Sequence, residues 1–438
     1  MPDSSASSKI SHQVIALGLT QTIAWASSTY LPAILAAPIA ADLGLEQSTV
    51  FGAFSLSLVV MALAGPAAGR AIDRHGGRRV LALSNLVLAI GLILLALAAH
   101  AAMLLIAWCV LGAGMALGLY DAAFATLVGL HGKDARAPIT GITLIAGFAS
   151  TVGWPLSAYL SAHFGWRACC LSWAAIHLLL ALPMNLLVIP KAKSSPTSHI
   201  DTAARAAAMA AAAASVPVPV PMRSWILLAI YFAATAFITS AMAAHLPGLL
   251  VAAGVTTTVA VTAGALLGPA QVAARIAEFG LARRFRIHPL ITARVATALH
   301  PLGAALLALQ FGVPMGAFGF ALLHGAGNGM ITIAKGTLPL AMFGAAAYGE
   351  RTGLLSVAAR GMQALAPYTF GLVLERWGAR GALTLSATLS LIALGTLFAL
   401  RRGTTQDDDV SSPQQKALLR QTFSLRRGKK NRCDPPPR

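Results

Sequence analysis

Residues 69–80 read GRAIDRHGGRRV, a knot of charge between two apolar runs, FGAFSLSLVVMALAGPAA (51–68) and LALSNLVLAIGLILLALAA (81–99). Charge is scarce elsewhere: 11% of the 438 residues are charged and 57% are hydrophobic, with a mean hydropathy of +0.73. A soluble domain would carry about 25% charged residues. Working outward from the knot, apolar runs of about 20 residues recur along the chain, each long enough to cross about 30 Å of hydrocarbon as a helix. Outer-membrane barrels read instead as alternating segments of about 10 residues. The class is a polytopic helical membrane protein.

Apolar runs and their breaks predict spans near 14–39, 48–69, 79–98, 103–130, 137–160 and 168–189, then near 224–250, 257–280, 289–310, 313–343, 350–374 and 381–400. The first run is too long for a signal-peptide core and is read as a retained span. The expected organisation is an N-terminal six-helix half (1–190), a cytoplasmic linker (191–223), a C-terminal six-helix half (224–400) and a basic disordered cytoplasmic tail (401–438). In the linker, an alanine run from Ala203 to Ala214 favours helix but is too short to span, and VPVPVP after it is stiff and extended.

The net charge of +18 is concentrated in loops and at the C-terminus, where ten Lys or Arg face four Asp from Arg401 onward. Arg70, Arg74, Arg78 and Arg79 follow span two, Lys133 and Arg136 follow span four, Lys191, Lys193 and Arg205 follow span six, and Arg283, Arg284 and Arg286 follow span eight. The opposite loops hold few basic residues. Basic loops stay on the cytoplasmic side, which predicts both termini and the linker there, in an inner (plasma) membrane. A basic surface that serves as a topology signal argues against nucleic acid as the partner. Cys109, Cys169, Cys170 and Cys433 lack metal-ligand spacing and imply no disulfide framework, so no metal or cofactor is expected. No P-loop, HExxH or GxSxG in a fitting context points to ATP drive or catalysis, and no catalytic residue is assigned.

The halves repeat. Gly65-Pro66-Ala67 recurs as Gly268-Pro269-Ala270 at an offset of 203. Gly112-Ala113-Gly114 recurs as Gly325-Ala326-Gly327 at 213, Thr140-Gly141 as Thr352-Gly353 and Pro155 as Pro367 at 212, and Phe164-Gly165-Trp166-Arg167 as Trp377-Gly378-Ala379-Arg380 at 213. A six-span unit present twice in one orientation places a pseudo-two-fold axis along the membrane normal, the architecture of transporters that rock about a midplane site. The opening stretch resembles the loop motif of the major facilitator superfamily through Gly69, Asp73, Arg74, Gly76, Arg78 and Arg79, while Gly77 departs from it. The resemblance covers essentially the whole chain. It implies twelve transmembrane helices as two parallel six-helix repeats, a monomer, and a gating latch in which Asp73 meets the start of span eleven, here Tyr348 to Gly353.

An ionisable side chain inside a membrane costs at least about 2.5–3.5 kcal/mol and so needs a partner or a role. Asp121, in GLYDAAF of span four, lies about nine residues from the cytoplasmic end, and Lys335, in TIAKGTL of span ten, about eight. The offset of 213 carries Asp121 to Ala334, next to Lys335, so the two are expected to face each other across a cavity. Asp121 then reads as a proton-responsive acid and Lys335 as its partner or an anion anchor. Arg360 in span eleven is another deep cation. Arg275 in span eight matches arginines that bind carboxylates in the monocarboxylate and oxalate/formate branch, or else pairs with Glu278. Tyr30, Trp25, Ser27, Ser28, Tyr120, Trp154, Asn328 and His324 are further cavity candidates. Span five carries GFASTVGWP, loosely similar to the motif of drug and proton antiporters, but Trp154 separates Gly153 from Pro155 and span four lacks the antiporters' arginine.

The expected function is secondary active transport of a small anionic or polar solute by alternating access, coupled to protons. The alternatives are efflux of drug-like or metalloid compounds and, from another class, a solute receptor that does not transport.

Overall fold

The computed structural model describes residues 4–131, 135–190, 222–285, 287–343 and 348–400. The tail and nearly all of the linker lie outside them. Every element described is helical, with no strand among the described residues, as lipid demands of a chain that must satisfy its own backbone groups.

In the first half, α1 (Ser4–Ser27) and α2 (Pro32–Leu43) divide the first apolar run, followed by α3 (Gln47–His75) and α4 (Gly77–Ala96). Next come α5 (Ala101–Gly118), α6 (Tyr120–His131), α7 (Arg136–Ala146) and α8 (Ala149–Ile176), a π-helical turn at His177–Ala181, and α9 (Leu182–Val188). The second half holds α10 (Met222–Ala252), α11 (Thr257–Ala265), α12 (Leu267–Phe285), α13 (Pro289–Leu309), α14 (Pro314–Phe343) and α15 (Tyr348–Ala399).

Among the described residues, ten helical stretches are long and apolar enough to cross a membrane, two of them, Ala137–Val188 and Leu355–Ala399, with 52 and 45 residues. Each of these two is a hairpin. The first turns at Gly165 (φ 82°, ψ 162°) and the second at Gly378 (φ 61°, ψ −165°), conformations that a side chain would strain. The arms fold back on each other: Trp173 Nε1 donates to Ser157 Oγ at 3.0 Å, and Gly381 lies against the Val373 side chain. The two turns sit 213 residues apart, the offset at which the sequence repeats.

Four apolar clusters form among the described residues. The first gathers Phe54, Trp108 and Trp173. A second gathers Phe320 and Phe370, and takes in the fully buried Trp154 from α8 of the first half. A smaller one lies in each half, around Leu17 and Leu127 in the first and around Tyr231 and Leu397 in the second. Glycines let backbones close within each half: a Cβ on Gly112 would sit 2.4 Å from the Ser57 carbonyl oxygen.

Gly76 carries the opening motif through the turn between α3 and α4, its N–H bonding the Ile72 carbonyl at 2.8 Å with φ at 79°. Gly77 has a packing reason for departing from the motif. A Cβ there would lie 2.0 Å from Thr126 Oγ1 of α6, so no basic side chain fits.

Candidate functional site

Four apolar runs are interrupted partway along, and the interruptions build the site. A broken helix frees carbonyls and N–H groups that need partners inside the protein. Between α1 and α2, Tyr30 N–H bonds Trp25 O at 3.1 Å while Trp154 Nε1 donates to Tyr30 O at 3.0 Å. Between α5 and α6, Gln21 of α1 donates to the Gly118 carbonyl at 2.6 Å. In the last turn of α7, the Thr143 carbonyl, which accepts from Gly147 N–H at 3.0 Å, takes a second bond from Arg275 at 2.9 Å. Between α11 and α12, the Ala265 carbonyl accepts from Thr151 at 2.7 Å. The last two bonds cross between the halves.

The break at Leu119 places Asp121 in the first turn of α6, where free N–H groups favour a carboxylate by about 0.3–1 kcal/mol. Arg360 reaches it from α15, donating from Nη2 to Asp121 Oδ2 at 2.8 Å. The guanidinium passes over α3 at Gly65, the first residue of the repeated GPA, 3.7 Å from where a Cβ would stand. This corrects the expected pairing of Asp121 with Lys335: the carboxylate's partner is Arg360. Lys335 is half-buried on α14 and makes no ion pair among the described residues.

Arg275 and Glu278 do not pair either. Arg275 turns to the Thr143 carbonyl of the first half, to Gly329 O (3.4 Å) and to Thr332 Oγ1 (3.4 Å). Glu278 accepts from Thr292 of α13 at 3.4 Å. An aromatic wall completes the cleft: Trp25 lies 5.0 Å from Tyr120 and 6.5 Å from Tyr30, and Tyr30 meets Trp154 edge-on at 5.3 Å.

Other expected residues stand elsewhere. Asn328 accepts from Thr239 of α10 at 2.9 Å within the second half. Ser27 bonds the buried His177 at 2.8 Å, and Ser28 bonds the Ala24 carbonyl, both inside the first half. His324 is buried against His300. Asp73 is exposed, and the side chains of its expected latch partners, Tyr348 to Gly353, lie outside the described residues. Glu375 takes part unanticipated, and its only sequence signal is a carboxylate beside an apolar run.

The halves pack along one another at the end marked by Gly165 and Gly378, through α2 against α10, α8 against α11 and α12, and α3 against α15. At the opposite end, α1, α6 and α7 pack mainly within their own half, with Arg360 reaching Asp121 of α6 and Arg275 reaching the Thr143 carbonyl of α7 from the other. The cleft opens there, and the Asp121 side chain is 76% exposed. The closed end carries its own clasp. Phe51 and His245 meet across the halves with ring centroids 3.8 Å apart and planes tilted by 42°, and Glu375 of α15 accepts from Ser48 N–H at 2.7 Å, capping the first turn of α3 from the other half. Glu375→Ala is expected to raise the population open at this end about fivefold, the factor for about 1 kcal/mol, a typical cap contribution. Spin-label distances across that end would show it.

Two helical halves joined at one end, with broken helices around a charged cleft at the other, define a polytopic membrane transporter. A profile described as Major Facilitator Superfamily matches residues 17–334, and the chain belongs to that superfamily. One relative, from Thermoproteus tenax, is 30% identical over 371 residues (84% of this chain, 90% of that protein) and is described as an uncharacterized 38 kDa protein in a 23S RNA operon. The fold is shared with a bacterial homologue of the human lysosomal transporter Spinster in an inward-facing, occupied conformation (TM-score 0.63, 17% identity, 89% of this chain and 96% of that one). It is shared also with the nucleoside transporter NupG (0.67, 14%, 89% and 99%) and with the peptide transporter POT in complex with sulfate (0.67, 14%, 88% and 93%).

Proposed function

We propose that this chain is a proton-coupled secondary transporter that moves a small anionic or polar solute by alternating access. In this reading it is a monomer that crosses the inner (plasma) membrane twelve times, the two hairpins each counting twice. Both termini and the basic loops face the cytoplasm, so the open cleft faces inward. Residues 1–190 and 224–400 act as the two rocking bodies, and Asp73 latches the cytoplasmic face when it closes.

The observation that carries the reading is the Asp121–Arg360 ion pair, which joins the two halves inside the cleft. Exposed ion pairs contribute about 0–1 kcal/mol, so one proton on Asp121, or a competing anion on Arg360, is enough to part it. Arg275 supplies the second cation. Its present partners are neutral carbonyls and hydroxyls, which leaves its charge available to a bound anion. The aromatic wall excludes water and orients the rest of the solute.

The test is charge movement in proteoliposomes on solid-supported membranes, challenged with mono- and dicarboxylates, amphipathic cations and arsenite at two pH values. Anion-evoked, pH-dependent currents support the proposal. Currents evoked by amphipathic cations or arsenite alone would replace it with efflux. Saturable binding of a solute without flux would replace it with a receptor.

A further inference from the structure

Away from the cleft, the second half contains a buried polar cluster that the transport reading does not use. His300 stands midway along α13 and His324 about a third of the way along α14, both 3% exposed, and their Nδ1 atoms lie 2.9 Å apart. A hydrogen bond between two Nδ1 atoms needs one proton between them. In the neutral pair, the accepting ring then carries its own proton on Nε2, and the donating ring has a bare Nε2 lone pair.

His300 Nε2 is buried with no hydrogen-bond partner. Whichever tautomer it holds, its bonding capacity is unmet, which is costly for a group with only a structural role. A small cavity of about 10 Å³ adjoins the pair, lined by Thr235, Thr239, His300, His324, Asn328 and Ser390 among others. That is about the room for one water among polar partners. Phe320 stacks on His324 (5.9 Å, 20°) and lies 5.6 Å from His300, offering a ring face to a positive imidazolium.

We propose that His300 and His324 form a one-proton site in the interior of the second half, distinct from Asp121, and that its occupancy sets the position of Arg275. An added proton goes to the free Nε2 of the donating ring. This leaves an imidazolium whose Nδ1–H bonds the neutral partner, a charge-assisted bond. A second proton is opposed by a like charge within 2.9 Å.

No charged side chain lines the cavity. On the elements around the pair, Arg294 of α13 bonds the Leu397 and Leu400 carbonyls, Glu278 of α12 bonds Thr292, and Lys335 lies three turns further along α14. Tyr231 of α10 is buried with its hydroxyl unpaired among the described residues, and His245 bonds the Pro367 carbonyl.

The link to the cleft is short. One turn beyond His324, Asn328 bonds Thr239 through its side chain and Thr332 through its carbonyl, and Gly329 O and Thr332 Oγ1 both accept from Arg275. This second part rests on the transport reading; the proton site itself does not.

The test is solid-state NMR of the full-length protein in lipid with ¹⁵N-labelled histidine, titrated from about pH 8 to about pH 5 with no substrate. Expected is an N–H···N coupling between two rings, followed by a single transition that charges one of them and disappears in His300→Gln and in His324→Gln. Two rings that stay neutral, or that both become imidazolium, would overturn the site. Should either variant fail to fold, absence of the cross-ring coupling in wild type overturns it equally. For the link, the half-saturation of anion-evoked currents is expected to shift at least about fivefold with pH in wild type and to shift less in His324→Gln, which keeps Asp121. An equal shift in both, with the NMR transition intact, would sink the coupling while leaving the proton site standing. The NMR result reads the same whether or not the chain transports anions.

Discussion

Arg275→Gln is expected to raise the half-saturating concentration of a transported carboxylate about 10–100-fold, which corresponds to about 1.4–2.8 kcal/mol. The argument is local. Arg275 has one short bond, to the Thr143 carbonyl at 2.9 Å, and two long ones at 3.4 Å, and no carboxylate pairs with it among the described residues. A solute carboxylate would exchange weak neutral contacts for charge-assisted ones, each contributing about 1.5–3 kcal/mol. Arg275→Lys keeps the charge but loses the planar fork that matches a carboxylate, so it should fall between wild type and Gln. Concentration dependence of the evoked current measures both. Equal half-saturation in all three proteins would remove Arg275 from the site.

Asp121→Asn should separate exchange from uphill transport. The amide imitates the protonated acid, cannot hold Arg360 as an ion partner, and has no proton to release. Solute exchange across equal pH is expected to persist. Proton-driven accumulation should fall by at least about tenfold, the factor for about 1.4 kcal/mol, and its pH dependence should flatten. Counterflow and gradient-driven uptake in the same vesicles report the two quantities side by side. Accumulation at the wild-type level would place the coupling proton elsewhere, with His300–His324 the first candidate.

The helical architecture was legible in the sequence, and the parts that were not share a cause. Hydropathy marked the apolar runs that form the helices, and the 213-residue offset paired the two turning glycines, Gly165 and Gly378. Position along a run is not direction, however. Each residue along a helix turns the side chain by about 100°, so a position one residue from the repeat equivalent of Asp121 need not share its direction: Lys335 makes no ion pair among the described residues, while Arg360 on another helix reaches the carboxylate. The breaks after Gly118, Ala146 and Ala265 were invisible because hydropathy reads side chains and a break is a backbone event. Glu375 looked like an ordinary loop acid because its partner is an amide N–H more than three hundred residues away. His300 sat in an apolar run with no spacing relation to His324, since their meeting depends on how α13 packs against α14.

The bonds that join the halves at Thr143 and Ala265 end on main-chain carbonyls. A carbonyl is the same atom whatever residue carries it, so these junctions tolerate replacement of the acceptor residue in a way that a side-chain acceptor could not. Half of each contact is thereby exempt from mutation, and only the reaching side chain is under constraint. A closure mechanism of this kind can outlast wide drift in composition, in keeping with a shared architecture at 14–17% identity.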